Sequence, residues 1–535
     1  MHEDDIVDYI VIGSGSAGSV IASRLAENPE SQVVLLEAGG DDRHPWIIVP
    51  GAVEMALVTP RFDWGYRTEP DPTRDGGSDH VPRGRLLGGS SSVNGMAFVR
   101  GEPSDFDAWV SAGAKGWSYS DMLPYFKRIE NTELGTSRLR GRNGPVHVIE
   151  SWGLPHLRDI FTQACEQMNI PRNPDYNGGD QTGFGPTQAN LYKGTRHSAA
   201  RAFLRPALKR PNLTLFKRAH ASRLLMDGKR VTGVEYWIGS QQRILRCRRE
   251  VIVAAGAINS PQLLMLSGLG PASMLREKGV DVVADLPWVG RNLMDHAGMR
   301  LAREVNVPTL NHEALLHRRA LNGLRWLLTR SGPAAAIYAQ YFAFLRTAPD
   351  IPYPDIQLHF EPLLYDYADD RARVSRKNGI SIGVNINRPK SRGHIALSSP
   401  SFRDHPTIQP MMFEADEDLD TLVRGVRIIE QIFKTPVMQK VIVAGQADVR
   451  WSTAAEQRHA VRTQAHGVYH PSGTCRMGNS PNDSVLNPRL RVHGIDGLRV
   501  ADLSIIPSLV SGNTNAVSMA IGEKAADLIR HDSLA

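Results

Sequence analysis

The chain has 535 residues, more than a single hydrophobic core normally supports, which predicts two or three domains. Charged residues make up 22% and the formal charge of +6 is spread along the chain, so composition indicates an ordinary globular protein and argues against nucleic-acid binding. The three cysteines lie far apart, which argues against a disulfide framework and favours a reducing compartment.

No secretory signal is expected from the first residues of this sequence. Residues Met1 to Asp5 are acidic and lack the basic start and apolar segment that such a signal needs. No uninterrupted apolar run in the chain reaches the length of a membrane span. The sequence therefore predicts a cytoplasmic protein, with peripheral contact to an inner membrane as the alternative.

A strand, a glycine-rich turn, a helix and a second strand follow, and they end at Glu37. Gly13, Gly15 and Gly18 fall where a nucleotide-binding turn needs a sharp bend, close backbone approach to a pyrophosphate, and close helix packing. The helix start offers free N–H groups to phosphates. Glu37 has the spacing at which a carboxylate binds a ribose, which argues against a merely structural turn. The unit predicts a dinucleotide site without saying which dinucleotide.

Small and hydroxyl residues crowd the segment from Leu87 to Gly95. The segment is too flexible for a helix and too unpatterned for a strand. Its successive N–H groups and small side chains suit contact with a flat or anionic ligand. Taken alone, it would be interpreted as a solvated loop.

A second strand–glycine–helix unit lies far along the chain. Residues 249–256 form a buried strand that ends in glycine, and a helix follows that stops near Ser267. The preceding residues 224–236 are predicted as a hairpin that turns at Asp227 and Gly228. Hydrophobic periodicity predicts helices at 105–110, 120–129 and 157–168, and a strand at 211–216.

From about residue 301 the pattern changes. Residues 355–360, 379–387 and 393–398 are predicted as half-buried antiparallel strands, and residues 416–433 as a helix with an acidic first turn. Residues 312–330 form a basic amphipathic helix. That pattern fits a helix packed on the core with a solvated back, which we expect, or a helix on a membrane surface.

These patterns predict an α/β fold: a Rossmann-like domain with a doubly wound parallel sheet, plus an α+β substrate domain with an antiparallel sheet. The predicted division assigns 1–155, 191–300 and 461–535 to the nucleotide domain, and 156–190 and 301–460 to the substrate domain. The last segment carries the candidate active-site residues.

Several separated motifs resemble the glucose–methanol–choline (GMC) flavoprotein oxidoreductases. They are the first glycine-rich turn with Glu37, and residues 84–98, 256–270, 289–296, 469–478 and 512–515. The resemblance spans the whole chain, and the motif residues are most similar to those of the choline dehydrogenases and L-sorbose dehydrogenases of that family. It implies an FAD-dependent alcohol dehydrogenase, an oxidoreductase that acts on CH–OH donors.

The resemblance also implies which residues contact FAD. They are Gly13, Ser14, Gly15, Ser16, Ala17, Gly18, Glu37, Ala38, Arg85, Leu87, Gly88, Gly89, Ser91, Asn94, Gly95, Met96, Ala97, Ala221, Ala255, Gly256, Tyr469, Asp502, Leu503, Asn513 and Thr514. Val93 stands where some members carry a histidine that binds the flavin covalently, so non-covalent FAD is expected. No metal is expected.

Alcohol oxidation removes a hydroxyl proton and delivers a hydride from carbon to the flavin, so the protein must supply a base. By resemblance, His470 is that base and Asn513 is the second catalytic residue, which binds the substrate oxygen. Helix capping is an additional interpretation of Asn513. His466 is a further candidate for the substrate pocket.

Two other observations concern residues near these motifs. Asp295 and His296 are expected to stabilise a turn, and nothing in the sequence marks Cys475 as reactive.

The predicted reaction is oxidation of a primary alcohol, such as a polyol or L-sorbose, to the aldehyde, with a quinone, another acceptor or oxygen taking the electrons. The alternatives are a choline dehydrogenase, an oxygen-using alcohol oxidase of the same family, and a hydroxynitrile-lyase-type flavoprotein. The first turn alone would also fit an NAD-dependent dehydrogenase, and the His470–Asn513 pair argues against a pure binding module. The substrate, the acceptor and the oligomeric state stay open.

Overall fold

A mostly parallel sheet carries the first glycine-rich turn. The computed structural model describes residues 6–368, 371–444, 451 and 453–533, so the acidic start at residues 1–5 lies outside the described residues. Strand Ile6–Ile12 lies between Val33–Glu37 and Gln241–Val253, and all three run parallel. The apolar residues of the first two strands, apart from Ile6, and the last three residues of Gln241–Val253 are buried, which is typical of central parallel strands.

The sheet is completed from distant parts of the chain. Leu213–Lys217 pairs with Val33–Glu37, and Leu498–Val500 pairs with Gln241–Val253, both parallel. The hairpin of Ala219–Asp227 and Arg230–Ile238 extends the sheet in antiparallel pairing. The predicted α/β class and the hairpin are confirmed.

Two helices from opposite ends of the sequence pack together on this sheet. Ser16–Leu25 follows the first turn, and Asn515–Asp532 lies against it. A Cβ built on Gly522 would lie 2.7 Å from the Ala17 carbonyl oxygen, so glycine permits the close crossing. The chain end therefore returns to the glycine-rich turn, as the sequence predicts.

A second sheet is antiparallel throughout. Its strands, in spatial order, are Tyr341–Leu345, Ile356–Glu361, Gly379–Ile386, Ala297–Glu304 and His466–Gly467. Helix Asp416–Phe433, with the bounds that its periodicity predicts, packs its apolar side on this sheet. Each sheet has its own hydrophobic core. The predicted domain boundaries themselves stay a prediction.

The remaining elements are short. Among the described residues, the other α-helices of four or more residues outside the segment 310–329 are Pro45–Ile48, Val53–Leu57, Pro103–Ser111, Tyr119–Ile129, Pro155–Gln167, Gly256–Leu266, Ala272–Glu277, Pro436–Gln439 and Ala454–Gln464, and Ala200–Leu204 forms a π-helix. Gly393–Ala396 and Thr407–Gln409 pair in a small sheet with Arg291–Leu293. Within the part of the chain that the structure describes, no helix combines the length and apolarity needed to cross a bilayer.

One expectation about secondary structure needs an addition, and another is wrong. The segment from Leu87 to Gly95 contains one 3₁₀ turn, Gly89–Ser92, which hydroxyl side chains stabilise by bonding to backbone carbonyls. The predicted helix at 312–330 is split into Leu310–Glu313 and Leu316–Thr329. Its leucines are not packed on the core but point into solvent, because Trp326 anchors the opposite side.

Candidate active site

A cavity opens at the carboxyl ends of the parallel strands. Ile12, Leu36 and Ala254, at the ends of three neighbouring strands, contribute to its wall. In open α/β sheets, ligands bind in the crevice at this edge.

The three glycines of the first turn have three different environments. Gly13 has a φ of +98°, and a Cβ built on Gly18 would lie 1.9 Å from the Gly13 carbonyl oxygen. A Cβ built on Gly15, by contrast, meets no atom within 4 Å, and Gly15 lines the cavity. Two glycines therefore shape the turn, and the third exposes backbone to a ligand.

Glu37 is buried at the opposite side of the turn. Its carboxylate accepts hydrogen bonds from the Ser14 N–H at 3.0 Å, the Ser14 hydroxyl at 2.6 Å and the Gly39 N–H at 2.7 Å. Burial raises the pKa of this carboxyl group, and the three donors oppose that shift. Glu37 therefore fixes the turn while its side chain lines the cavity.

Asp502 joins the two strand–glycine–helix units. Its carboxylate accepts from the Gly256 N–H at 2.8 Å and the Ser260 hydroxyl at 2.6 Å, and its other oxygen accepts from the Ser504 N–H. The Asp502 side chain thus links the segment after strand Leu498–Val500 to the start of helix Gly256–Leu266.

A histidine pair lies beside this cavity. Nδ1 of His470 is 2.9 Å from Nδ1 of His296, and Nε2 of His470 is 3.3 Å from the Asn513 side-chain nitrogen. Pro471, the next residue, lines the cavity. His296 is fully buried, with its Nε2 3.1 Å from the carbonyl oxygens of Asn387 and Val510.

These contacts determine which ring nitrogens carry protons. Two carbonyl oxygens face Nε2 of His296, so that nitrogen must be the donor. Burial lowers the pKa of His296 to about 4, so the ring is neutral and its Nδ1 is an acceptor. Nδ1 of His470 must then donate to it, which leaves Nε2 of His470 unprotonated and facing the amide N–H of Asn513.

Asn513 is held by the second sheet. Its side-chain oxygen accepts a hydrogen bond from the Gln357 amide at 3.3 Å, so its nitrogen is directed at His470. Thr514, not Asn513, is the N-cap residue of helix Asn515–Asp532. The capping interpretation of Asn513 is therefore wrong, because Gln357 and His470 take both ends of its amide.

Comparisons with known proteins show which family the chain belongs to. The amino- and carboxy-terminal family models described as GMC oxidoreductase match residues 7–298 and 389–522. The chain belongs to the GMC oxidoreductase family. It is thus an FAD-dependent oxidoreductase that acts on CH–OH donors, and the family resemblance of its motifs is confirmed.

Individual relatives cover nearly the whole GMC chain. It is 42% identical to the oxygen-dependent choline dehydrogenase of Brucella suis biovar 1 (strain 1330), over 98% of this chain and 95% of the relative. The crystal structure of pyridoxine 4-oxidase from Mesorbium loti has a TM-score of 0.88 at 30% identity, covering 98% and 99% of the two chains. That of formate oxidase has a TM-score of 0.92 at 26% identity, covering 99% of both.

The cavity fits FAD on the residues present. Gly15 leaves the backbone open to a pyrophosphate, and Glu37 stands at the end of the strand where a ribose would bind. The residues predicted from sequence that line the cavity are Gly13, Gly15, Ser16, Ala17, Glu37, Ala38, Gly89, Ala221, Ala255, Gly256, Asp502 and Leu503. Val93 is buried among apolar neighbours and offers no nucleophile, and non-covalent attachment of FAD stays a prediction.

The other predicted cofactor residues are not among those that line this cavity. They are Ser14, Gly18, Arg85, Leu87, Gly88, Ser91, Asn94, Gly95, Met96, Ala97, Tyr469, Asn513 and Thr514. Some have structural partners: the Arg85 guanidinium stacks on the Trp64 ring at 4.7 Å, and Arg196 bonds to the Asn94 side chain at 2.9 Å. Their contact with FAD stays a prediction.

Sequence analysis missed an aromatic wall of the cavity. His220 lies 5.2 Å from the Trp64 ring and 4.9 Å from the Phe402 ring, and all three line the cavity. Burial lowers the pKa of His220 to about 4. His220 adjoins the predicted Ala221, but no motif marks Trp64 or Phe402.

Asp295 and His296 do not have the role that the sequence predicts. Instead of stabilising a turn, Asp295 accepts a hydrogen bond from the His470 N–H at 2.7 Å, and His296 bonds to the His470 ring. Tyr469, just before His470, has a φ of +70°, and Arg83 donates to its carbonyl oxygen at 2.5 Å. The peptide group that joins Tyr469 to His470 is thus held at both its carbonyl oxygen and its N–H.

The electrostatic environment keeps His470 neutral. Burial lowers its pKa well below 6.5, and the neighbouring His296, Arg83 and His359 lower it further. Burial also raises the pKa of Asp295 to about 7, against the hydrogen bond from His470.

Two further residues lie apart from the histidine pair. His466 pairs with Gly298 at the edge of the second sheet, and its pKa is lowered by burial and by Arg300. Its place in the substrate pocket stays a prediction. Cys475 is buried, and burial raises the pKa of its thiol well above 9, which opposes thiolate chemistry.

Proposed function

We propose that this GMC oxidoreductase oxidises a small primary alcohol to its aldehyde, with His470 as the base that takes the hydroxyl proton. The observation that carries the proposal is the protonation pattern of the His296–His470–Asn513 chain. It leaves a lone pair on Nε2 of His470, at the atom that faces the only other predicted catalytic side chain. FAD, when bound, supplies the hydride acceptor.

The side chains around His470 then have defined roles. The Asn513 amide N–H holds the alcohol oxygen next to Nε2 of His470, and Gln357 keeps that amide in place. When Nε2 takes the proton, the His470 ring becomes a cation. His296 Nδ1 accepts from Nδ1–H of that cation and so stabilises it.

Two substrates have support from different observations. Choline is favoured because curated relatives of this name match 98% of the chain at 42% identity. A neutral polyol such as L-sorbose is favoured by the local charges. Asp295 bonds to the His470 backbone, and Glu361 pairs with Arg300 at 3.0 Å, so both carboxylates already have partners. We propose choline as the first candidate and a neutral polyol as the second.

The electron acceptor is proposed to be oxygen, since the name of the Brucella relative includes oxygen dependence. A quinone is the alternative. Formation of hydrogen peroxide during alcohol turnover in air supports oxygen, whereas turnover that needs an added quinone supports the alternative.

The test is anaerobic reduction of the bound flavin by choline, L-sorbose and an aromatic alcohol, with the wild type and His470→Ala compared. We expect one alcohol to bleach the wild-type flavin at least about a hundredfold faster than it bleaches the variant. The variant must keep its yellow colour, which shows that FAD is bound. Equal bleaching rates in the two proteins would rule out His470 as the base, and bleaching by none of the alcohols would rule out the substrate class.

A further inference from the structure

Helix Leu316–Thr329 exposes an apolar surface to solvent. Its exposed leucines are Leu316 (86%), Leu321 (64%), Leu324 (54%), Leu327 (61%) and Leu328 (76%). A single exposed leucine is ordinary, but five on one short helix form a patch of the kind that marks an interaction site. We call this surface the leucine face.

The leucine face points away from the body of the protein. At 3.6 residues per turn the five leucines occupy a sector of about 140°, opposite Trp326. The Trp326 indole N–H donates to the Gly194 carbonyl oxygen at 2.6 Å, and the Arg330 guanidinium lies 3.9 Å from the centre of the indole ring. The helix is therefore anchored on its inner side, and its outward side is available.

Cations border the leucine face. Arg318 and Arg325 follow one edge of the sector, whereas Arg319 and Arg330 lie nearer to the side of Trp326. The sequence from Leu316 to Arg330 contains no acidic residue. Arg318 is partly neutralised by Glu313 at 3.0 Å, which leaves a net positive rim. An apolar centre with a cationic rim is the pattern of helices that lie in a membrane interface.

We propose that helix Leu316–Thr329 docks on an anionic membrane surface. The leucines enter the boundary between headgroups and acyl chains, and the arginines meet lipid phosphates. A second copy of the chain fits less well, because a two-fold interface places the same arginines against each other. This proposal rests on the leucine face alone and does not depend on the proposed substrate or base.

The test is vesicle flotation of the full-length, FAD-loaded protein. We expect binding to vesicles of phosphatidylcholine mixed with phosphatidylglycerol, much weaker binding to phosphatidylcholine alone, and loss of binding as salt is added. The double variant Leu324→Ser/Leu328→Ser should bind at least about tenfold more weakly. Arg325→Gln should bind about fivefold more weakly to the anionic vesicles.

The matched control is Ile244→Ser, which removes another exposed apolar side chain, on strand Gln241–Val253. It should float like the wild type, and bound FAD together with an unchanged far-ultraviolet circular dichroism spectrum checks the fold of every variant. The proposal is overturned if the wild type does not float with anionic vesicles, or if the leucine variant floats equally well. It is also overturned if the leucine changes only convert a dimer to a monomer, which would identify an interface between copies.

Discussion

The first glycine-rich turn and the histidine pair are adjoining parts of one site, but they are built in different ways. The turn works through backbone geometry within a single stretch, Gly13 to Gly18, and its side chains are small. The histidine pair, His296 and His470, is linked to Asn513. Its proton positions depend on the carbonyl oxygens of Asn387 and Val510. A short motif can therefore encode a ligand-binding turn, whereas the protonation of a base is set by neighbours from distant segments.

The largest expected effect is on the histidine pair. His470→Ala should lower the rate of anaerobic flavin reduction by about 10²- to 10⁴-fold, because no other group takes the alcohol proton. Stopped-flow absorbance measures the rate. The control is His459→Ala, which alters a mostly exposed histidine on helix Ala454–Gln464 and should leave the rate unchanged.

The next effect separates a positioning residue from a merely structural one. His296→Ala removes the acceptor for Nδ1–H of His470, so the ring can carry its proton on Nε2 instead. Reduction should slow by roughly 10- to 100-fold, and the pH dependence of kcat/KM should change. His296→Gln, which keeps a side-chain acceptor and donor, should restore part of the rate. An unchanged pH profile in His296→Ala would limit His296 to packing.

The glycine pair tests the other half of the comparison. Gly18→Ala places a methyl group 1.9 Å from a carbonyl oxygen and should lower the free energy of unfolding by about 1–3 kcal/mol. Gly15→Ala meets no atom within 4 Å and should leave the stability of the apoprotein unchanged while it weakens FAD binding. Chemical unfolding and FAD titration measure the two quantities. Equal loss of stability in both variants would contradict the assignment of Gly15 to the ligand.

The smallest expected effect concerns pH. Because the pKa of His470 lies well below 6.5, the base is neutral at and below neutral pH, so kcat/KM should stay flat as pH falls past 6.5 and drop only at lower pH. Asp295, whose pKa is raised to about 7, is the other group that titrates here. Asp295→Asn keeps an acceptor for the His470 N–H. If Asp295→Asn removes a change of kcat/KM near pH 7, that change reports the titration of Asp295 and not of the base.

Much of the fold was predictable because it is local or periodic. The alternating and helical patterns gave the hairpin at Asp227, the helix Asp416–Phe433 and the second strand–glycine–helix unit, which the structure confirms. The helix at 312–330 was misjudged because amphipathicity shows that one side is apolar without showing what that side meets. Only the tertiary contacts of Trp326 decide that the leucines face outward.

The sequence by itself determined the nucleotide-binding turn, the family and the candidacy of His470 and Asn513, because backbone conformation and motif spacing are properties of short stretches. The role of His296 and the aromatic wall of Trp64 and Phe402 were decided only by tertiary structure. The physical reason is that a proton's location depends on which donors and acceptors surround the ring. Those groups come from segments between 43 and 214 residues apart, which no local pattern records.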